Sequence, residues 1–99
     1  MALPNINPEK IEKACGCLKA LAHPIRLQVL MALKDGEKNV QQLENLLETS
    51  QANMSQHLRQ MKEKQILSAR RDANQVFYTV RDERTFLLLE LLQTIYCKP

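Results

Sequence analysis

Apolar residues recur along most of the chain at the three- and four-residue intervals of a helix, and one stretch departs from that spacing. Pro8 and Glu9 open a first helix whose stripe of Ile11, Ala14, Cys15, Leu18, Leu21 and Ala22 runs up to His23 and Pro24. On that stripe Cys15 is expected to be a core thiol. Pro24 suits the first turn of a second helix, in which Ile25, Leu27, Leu30, Met31 and Leu33 form an inward face and Gly36 is the stop. VQQLENLL is a short third helix with Val40, Leu43, Leu46 and Leu47 inward. Glu48, Thr49 and Ser50 make a tight connection, and Ser50 is placed to cap a fourth helix over 51–64. Met54, Leu58 and Met61 fall at i, i+4 and i+7 of that helix and belong to the core.

The departure follows Gln65. ILSARR and QVFYTV are alternating or β-branched segments separated by DAN, a hairpin signal in which Asp72 and Asn74 tolerate turn conformations. The chain returns to helix in DERTFLLLELLQTIYC. There Phe86, Leu87, Leu88, Leu89, Leu91, Leu92, Ile95 and Tyr96 surround most of the helix, more than one face of so small a protein can cover. A second subunit is the expected cover. The fold class that results is mainly α with a small β-hairpin.

Composition agrees. The 99 residues suffice for one domain, 1–99, and the 44% hydrophobic and 25% charged content fits a soluble globular protein. The absence of Trp and the two glycines favour helices over an all-β fold. Charge changes the picture more. The net charge is +3, with six basic and six acidic residues balancing over 1–49. Over 50–81, Arg59, Lys62, Lys64, Arg70, Arg71 and Arg81 face only Glu63 and Asp72, a surplus suited to phosphates. FLLLELLQTIY is too short, at about 11 residues, for the 18 to 20 of a membrane span. The N-terminus has no basic segment leading into an apolar one, so a cytoplasmic location is expected, where three cysteines make no disulfide framework.

The fourth helix carries Gln51, Asn53, Ser55, Gln56, His57 and Arg59 away from its apolar stripe. A short helix, a turn of about three residues and a second helix with a polar outer face is a helix-turn-helix, in which such side chains read donor and acceptor patterns in the major groove. The hairpin, tipped by Arg70, Arg71, Asp72, Asn74 and Gln75, can act as a wing along the phosphates or the adjacent minor groove. The element order, with LKALAHPIRLQVLMAL, TSQANMSQHLRQMKEKQIL and RRDANQVFYTV, resembles the ArsR/SmtB family of bacterial winged-helix repressors over roughly residues 9 to 97. The resemblance implies a homodimer paired through its first and last helices, about 9–22 and 82–97. The helix-turn-helix would span about 40–64 and the wing about 66–81. Such a dimer would bind double-stranded operator DNA of dyad symmetry, its recognition helices about 34 Å apart, and leave it when a chemical signal binds.

By the same resemblance Gln51, Asn53, Ser55, Gln56 and His57 become base or phosphate contacts, and Arg59, Arg70 and Arg71 phosphate or wing contacts. Blander roles stand beside these. Ser50 serves as a cap, His57 can be a half-buried packing residue, and His23 is a helix-start residue. Arg26 can anchor either an internal carboxylate or a phosphate.

Family members commonly sense metals, but Asp82, Glu83 and Glu90 on the last helix have no histidine near them for a zinc site, and VQQLEN has no cysteine. No metal site or cofactor is therefore expected. The soft ligands are Cys15, Cys17 and Cys97. Residues two apart on a helix project about 200° apart, so Cys15 and Cys17 do not face each other. LLELLQTIYCKP with RRDANQVFYTV is similar to the branch containing BigR, SqrR, YgaV and HlyU, which implies persulfide or redox sensing by a cysteine on the second helix and another ending the last. Cys97 matches the latter, whereas Met31 stands at the second-helix position, leaving Cys15 or Cys17 as the partner. The same thiolates could instead bind arsenic(III) or another thiophilic ion, or be structural in a constitutive regulator. No glycine-rich phosphate loop, nucleophile elbow or acid/base pair is present, and Cys97 with His57 would have to span the dimer seam and the DNA face, so no enzyme is expected.

Overall fold

The computed structural model describes residues 6–97. Helices α1 (Pro8–Leu21) and α2 (Pro24–Ala32) lead through a 3-10 turn, Leu33–Asp35, into strand β1 (Lys38–Asn39). Helices α3 (Val40–Leu47) and α4 (Gln51–Glu63) follow, then strands β2 (Leu67–Asp72) and β3 (Gln75–Val80) and helix α5 (Arg84–Tyr96). Each of the first four helices is started by a side chain that satisfies an orphan backbone N–H. Asn7 Oδ1 accepts from Glu9 N at 2.8 Å, and His23 Nδ1 from Ile25 N at 3.1 Å. Asn39 and Gln42 form a reciprocal capping box at 2.8 Å each way. Ser50 Oγ accepts from Asn53 N at 3.1 Å. Gly36 ends the second helical segment at φ 133°, a conformation that favours glycine.

The three strands form an antiparallel sheet in the order β1-β3-β2, so the hairpin gains a third strand. The sequence pattern predicts only two, because two residues are too few to show a period. Ala73, at φ 55°, takes the left-handed position of the turn, with Asn74 following it. The pairing of Asp72 with Gln75 leaves a two-residue loop whose first member must bend that way.

Val29, Leu30, Leu33, Leu43, Met54, Leu58, Met61, Leu67 and Leu89 form the core, with α2, α3 and α4 contributing most of it. Three inward assignments are corrected. Met31 is 48% exposed, lying beside Gln93 of α5 with its Sδ 3.9 Å from Nε2, and Val29 takes the inward place. Leu46 faces outward on α3. Along α1 only Ala20 is buried, with Leu21 packed on the core, while Ile11, Leu18 and Cys15 are exposed, so Cys15 is not a core thiol. Helix α5 contributes Leu89 and Phe86 to the interior and leaves Leu87, Leu91, Ile95 and Tyr96 outside. The radius of gyration, 15.2 Å, exceeds the about 13 Å of a compact chain of this length, as expected when two helices have an uncovered side.

Candidate nucleic-acid interface

Helix α3 ends at Glu48, which adopts a left-handed conformation (φ 52°, ψ 49°) while its N–H bonds Glu44 O at 2.9 Å. That kink turns the chain into α4 within three residues. With Met54, Leu58 and Met61 completely buried, a 100° advance per residue directs Ala52, Gln56, Arg59 and Glu63 outward, with Asn53 and Ser55 on the flanks. Gln56 and Arg59 are exposed, and Ser55 is half-buried. Asn53 donates through Nδ2 to Thr49 Oγ1 at 2.8 Å, which braces the turn. Gln51 lies at the mouth of an open groove of about 580 Å³ between α3 and the wing, which Asn39, Gln41, Asn45, Asn74 and Gln75 also line. Amide side chains dominate that groove, supplying donors and acceptors together.

His57 is the exception on this helix. Its ring turns inward, where Nδ1 accepts from Arg26 Nε at 3.0 Å and the ring centroid lies 4.3 Å from that of His23. At 100° per residue it sits beside the apolar stripe, half-buried and off the outward face. Partial burial, and then the proximity of His23 and of the Arg26 guanidinium, hold its pKa below the ordinary histidine value. Arg26 meets no carboxylate among the described residues. It donates to the Ala20 carbonyl at 2.9 Å, to His57 and to Gln60 Oε1, all neutral acceptors. Gln60 was invisible as a participant because its partner lies 34 positions away.

The wing carries Arg70 and Arg71 side by side on β2, and they differ. Arg70 grips Glu37 through Nε at 2.9 Å and Nη2 at 2.5 Å, and its Cζ lies 4.9 Å from the centre of the Phe77 ring. The guanidinium holds the Glu37 carboxyl below the usual carboxylate range. Arg71 is exposed and has no ion-pair partner among the described residues. Glu37 had no signal in the sequence, because strand order alone brings it across β3 to Arg70.

All three cysteines are free and exposed, Cys15 and Cys17 on α1 and Cys97 just past α5, where its N–H bonds Gln93 O at 3.1 Å. Among the described residues no three His, Cys, Asp or Glu side chains gather to hold a metal ion, and no helix is long and apolar enough to cross a membrane.

A short helix, a three-residue turn, a second helix with a polar outer face and a sheet whose hairpin projects beside it define a winged helix-turn-helix DNA-binding protein. Comparison with known proteins supports this class and narrows it. Residues 23–69 match the model of the bacterial regulatory protein, arsR family. The chain is 40% identical over 86 residues to the transcriptional activator HlyU of Vibrio cholerae, covering 87% of this chain and 80% of that one. It is also 40% identical over 82 residues to the biofilm growth-associated repressor of Agrobacterium fabrum, covering 83% and 70%. The solved structure of HlyU from Vibrio cholerae superposes with a TM-score of 0.82 at 37% identity, covering 93% of this chain and all of that one. That of the repressor BigR from Xylella fastidiosa gives 0.77 at 33%, covering 95% and 100%. The chain belongs to the ArsR family of DNA-binding transcriptional regulators.

Proposed function

We propose that this protein is a homodimeric repressor that holds a dyad-symmetric operator in its reduced state and releases it when Cys97 and a cysteine of α1, Cys17 or Cys15, are modified by a reactive sulfur species or an oxidant. One observation carries the reading. Among the described residues, eight of the eleven exposed large hydrophobic ones, Ile11 and Leu18 on α1 and Leu87, Leu88, Leu91, Leu92, Ile95 and Tyr96 on α5, lie on the two helices that hold or adjoin every cysteine. A second copy is the partner that covers such a face twice, once on each subunit. Each recognition helix then presents Gln56 and Arg59 to the major groove, with Gln51 beside it and Arg71 on the wing toward the phosphates. Asn53, Ser55 and Arg70 support that surface from its flanks.

The chemistry uses the protein's thiolates and an external persulfide, RSSH. Cys97 thiolate attacks the outer sulfur, forming a protein persulfide and expelling RS⁻. The second thiolate attacks the sulfur of Cys97, closing a disulfide and expelling HS⁻, so that the sulfane sulfur is reduced as the two thiolates are oxidised. A bridge at the helical seam changes the spacing of the recognition helices and hence their fit to successive grooves.

Fluorescence anisotropy of the reduced protein on its own upstream DNA, repeated after persulfide, disulfide stress and arsenite with intact-mass measurement, tests this. Release with an added-sulfur or bridged mass is expected, and Cys97→Ser should abolish it. Unchanged release in Cys97→Ser would refute the switch. Release by arsenite alone would assign the thiolates to a thiophilic ion, and binding indifferent to every treatment would make them structural.

A further inference from the structure

The most connected polar cluster outside the outward face of α4 lies behind it. Arg26, near the start of α2, donates forward to His57 and Gln60 of α4 and back to the carbonyl of Ala20, near the end of α1. His23, the cap of α2, lies against His57 with the two rings tilted by 50° while its own Nδ1 accepts from Ile25 N. One guanidinium thus joins three helices, among them the proposed recognition helix. We infer that Arg26 is a positioning residue that sets α4 for DNA through a neutral His57, so that protonation of His57 lowers operator affinity.

The geometry gives the reason. Nδ1 of His57 accepts the Arg26 Nε–H only while it is unprotonated, since an imidazolium has two donors and no acceptor. The groups around it offer no compensation. From α2 His57 meets His23 and Arg26, and the same guanidinium holds the Ala20 carbonyl at the end of α1, with Lys19 in the adjoining groove. On α4 itself Gln60 is neutral, and Glu63 and Lys64 line that same groove. Among the described residues no carboxylate lies within ion-pairing distance of His57 or Arg26. Protonation therefore sets one cation against another and strands an N–H of the guanidinium, and the arrangement of Arg26 against α4 must change. The depressed pKa of His57 is the same preference for the neutral ring.

The sign of the effect separates this from a contact role. A histidine facing phosphate strengthens binding when it gains charge, whereas His57 in this cluster must weaken it. The inference rests on α4 being the recognition helix, and the experiment tests that separately. Anisotropy titrations on the upstream DNA are run at constant ionic strength from pH 8 to pH 5, with the far-ultraviolet circular dichroism and melting of each sample recorded. Wild type is expected to lose affinity by about tenfold on acidification while still folded, the order of one charged hydrogen bond. His57→Gln, which keeps an acceptor for Arg26 without titrating, should lose most of that dependence. Arg26→Gln should weaken binding at pH 8 with the slope of log K against log salt unchanged, whereas a lost phosphate contact lowers it by about 1.

A flat or inverted profile in wild type would overturn the inference. So would a His57→Gln profile that follows wild type, or a reduced salt slope in Arg26→Gln. Where His57→Gln does not fold, nuclear magnetic resonance of the wild-type imidazole decides: a ring protonated at Nδ1 at pH 8 would refute it. Arg59→Ala and Gln56→Ala at pH 8 test α4 itself, and if both bind like wild type the recognition-helix assignment fails, whatever the pH profile.

Discussion

Replacing Ile95 by Ala tests the proposed dimer through α5. Ile95 is 64% exposed in the isolated chain, and fully burying an Ile side chain is worth about 1.5–3 kcal/mol. Covering the exposed part is therefore worth about 1–2 kcal/mol per copy. A two-fold interface uses the residue twice and Ala keeps the Cβ, so the substitution should weaken dimerisation by about 2 kcal/mol, about 30-fold in dissociation constant. Sedimentation velocity over a dilution series measures that constant directly, and anisotropy on full and half operators reports whether affinity falls with it. Leu46 is an apt control, because at 58% exposure on α3 it is as open as Ile95 but belongs to neither α1 nor α5. Leu46→Ala should leave assembly unchanged. A wild-type chain that stays monomeric at micromolar concentration, or an Ile95→Ala constant equal to wild type, would refute the α5 seam.

Other outcomes follow from the same geometry. Arg71→Ala should weaken all DNA sequences alike and lower the salt slope by about 0.9 per subunit, whereas Arg70→Ala should lower it less because Glu37 already engages its guanidinium; equal slopes for the two would count against that division. Leu58→Ala, at a completely buried site on α4, should cost about 3–5 kcal/mol in chemical denaturation. Asp82 receives the backbone N–H and the side chain of Arg84, which lower its carboxyl pKa to about 2. Its contribution to the start of α5 is complete above the unfolded value near 3.8 and lost as pH falls toward about 2, and Asp82→Asn should remove that part of the acid sensitivity on melting. The depressed pKa of His57 likewise makes stability fall as pH drops below the unfolded value near 6.5, a trend His57→Gln should flatten.

The sequence by itself determined what depends on neighbours along the chain. Met54, Leu58 and Met61 declare their burial because one turn of helix repeats every 3.6 residues, and Ser50 and Pro24 declare helix starts because their partners lie within the next turn. The polar face of α4 was visible for the same reason, and the charge surplus over 50–81 needed only counting. Tertiary structure decided what depends on distant partners. His57 sits at the edge of the apolar stripe, but only the fold brings it Arg26 from 31 positions away, and Arg70 reads as a free cation until the β1-β3-β2 order brings Glu37 to it from 33 positions away. Cys15 and Leu18 lie on an apolar stripe that the sequence marks, yet no element among the described residues covers them. Periodicity states which side of a helix avoids water; only the packing of the whole chain, and of whatever it pairs with, decides what meets that side.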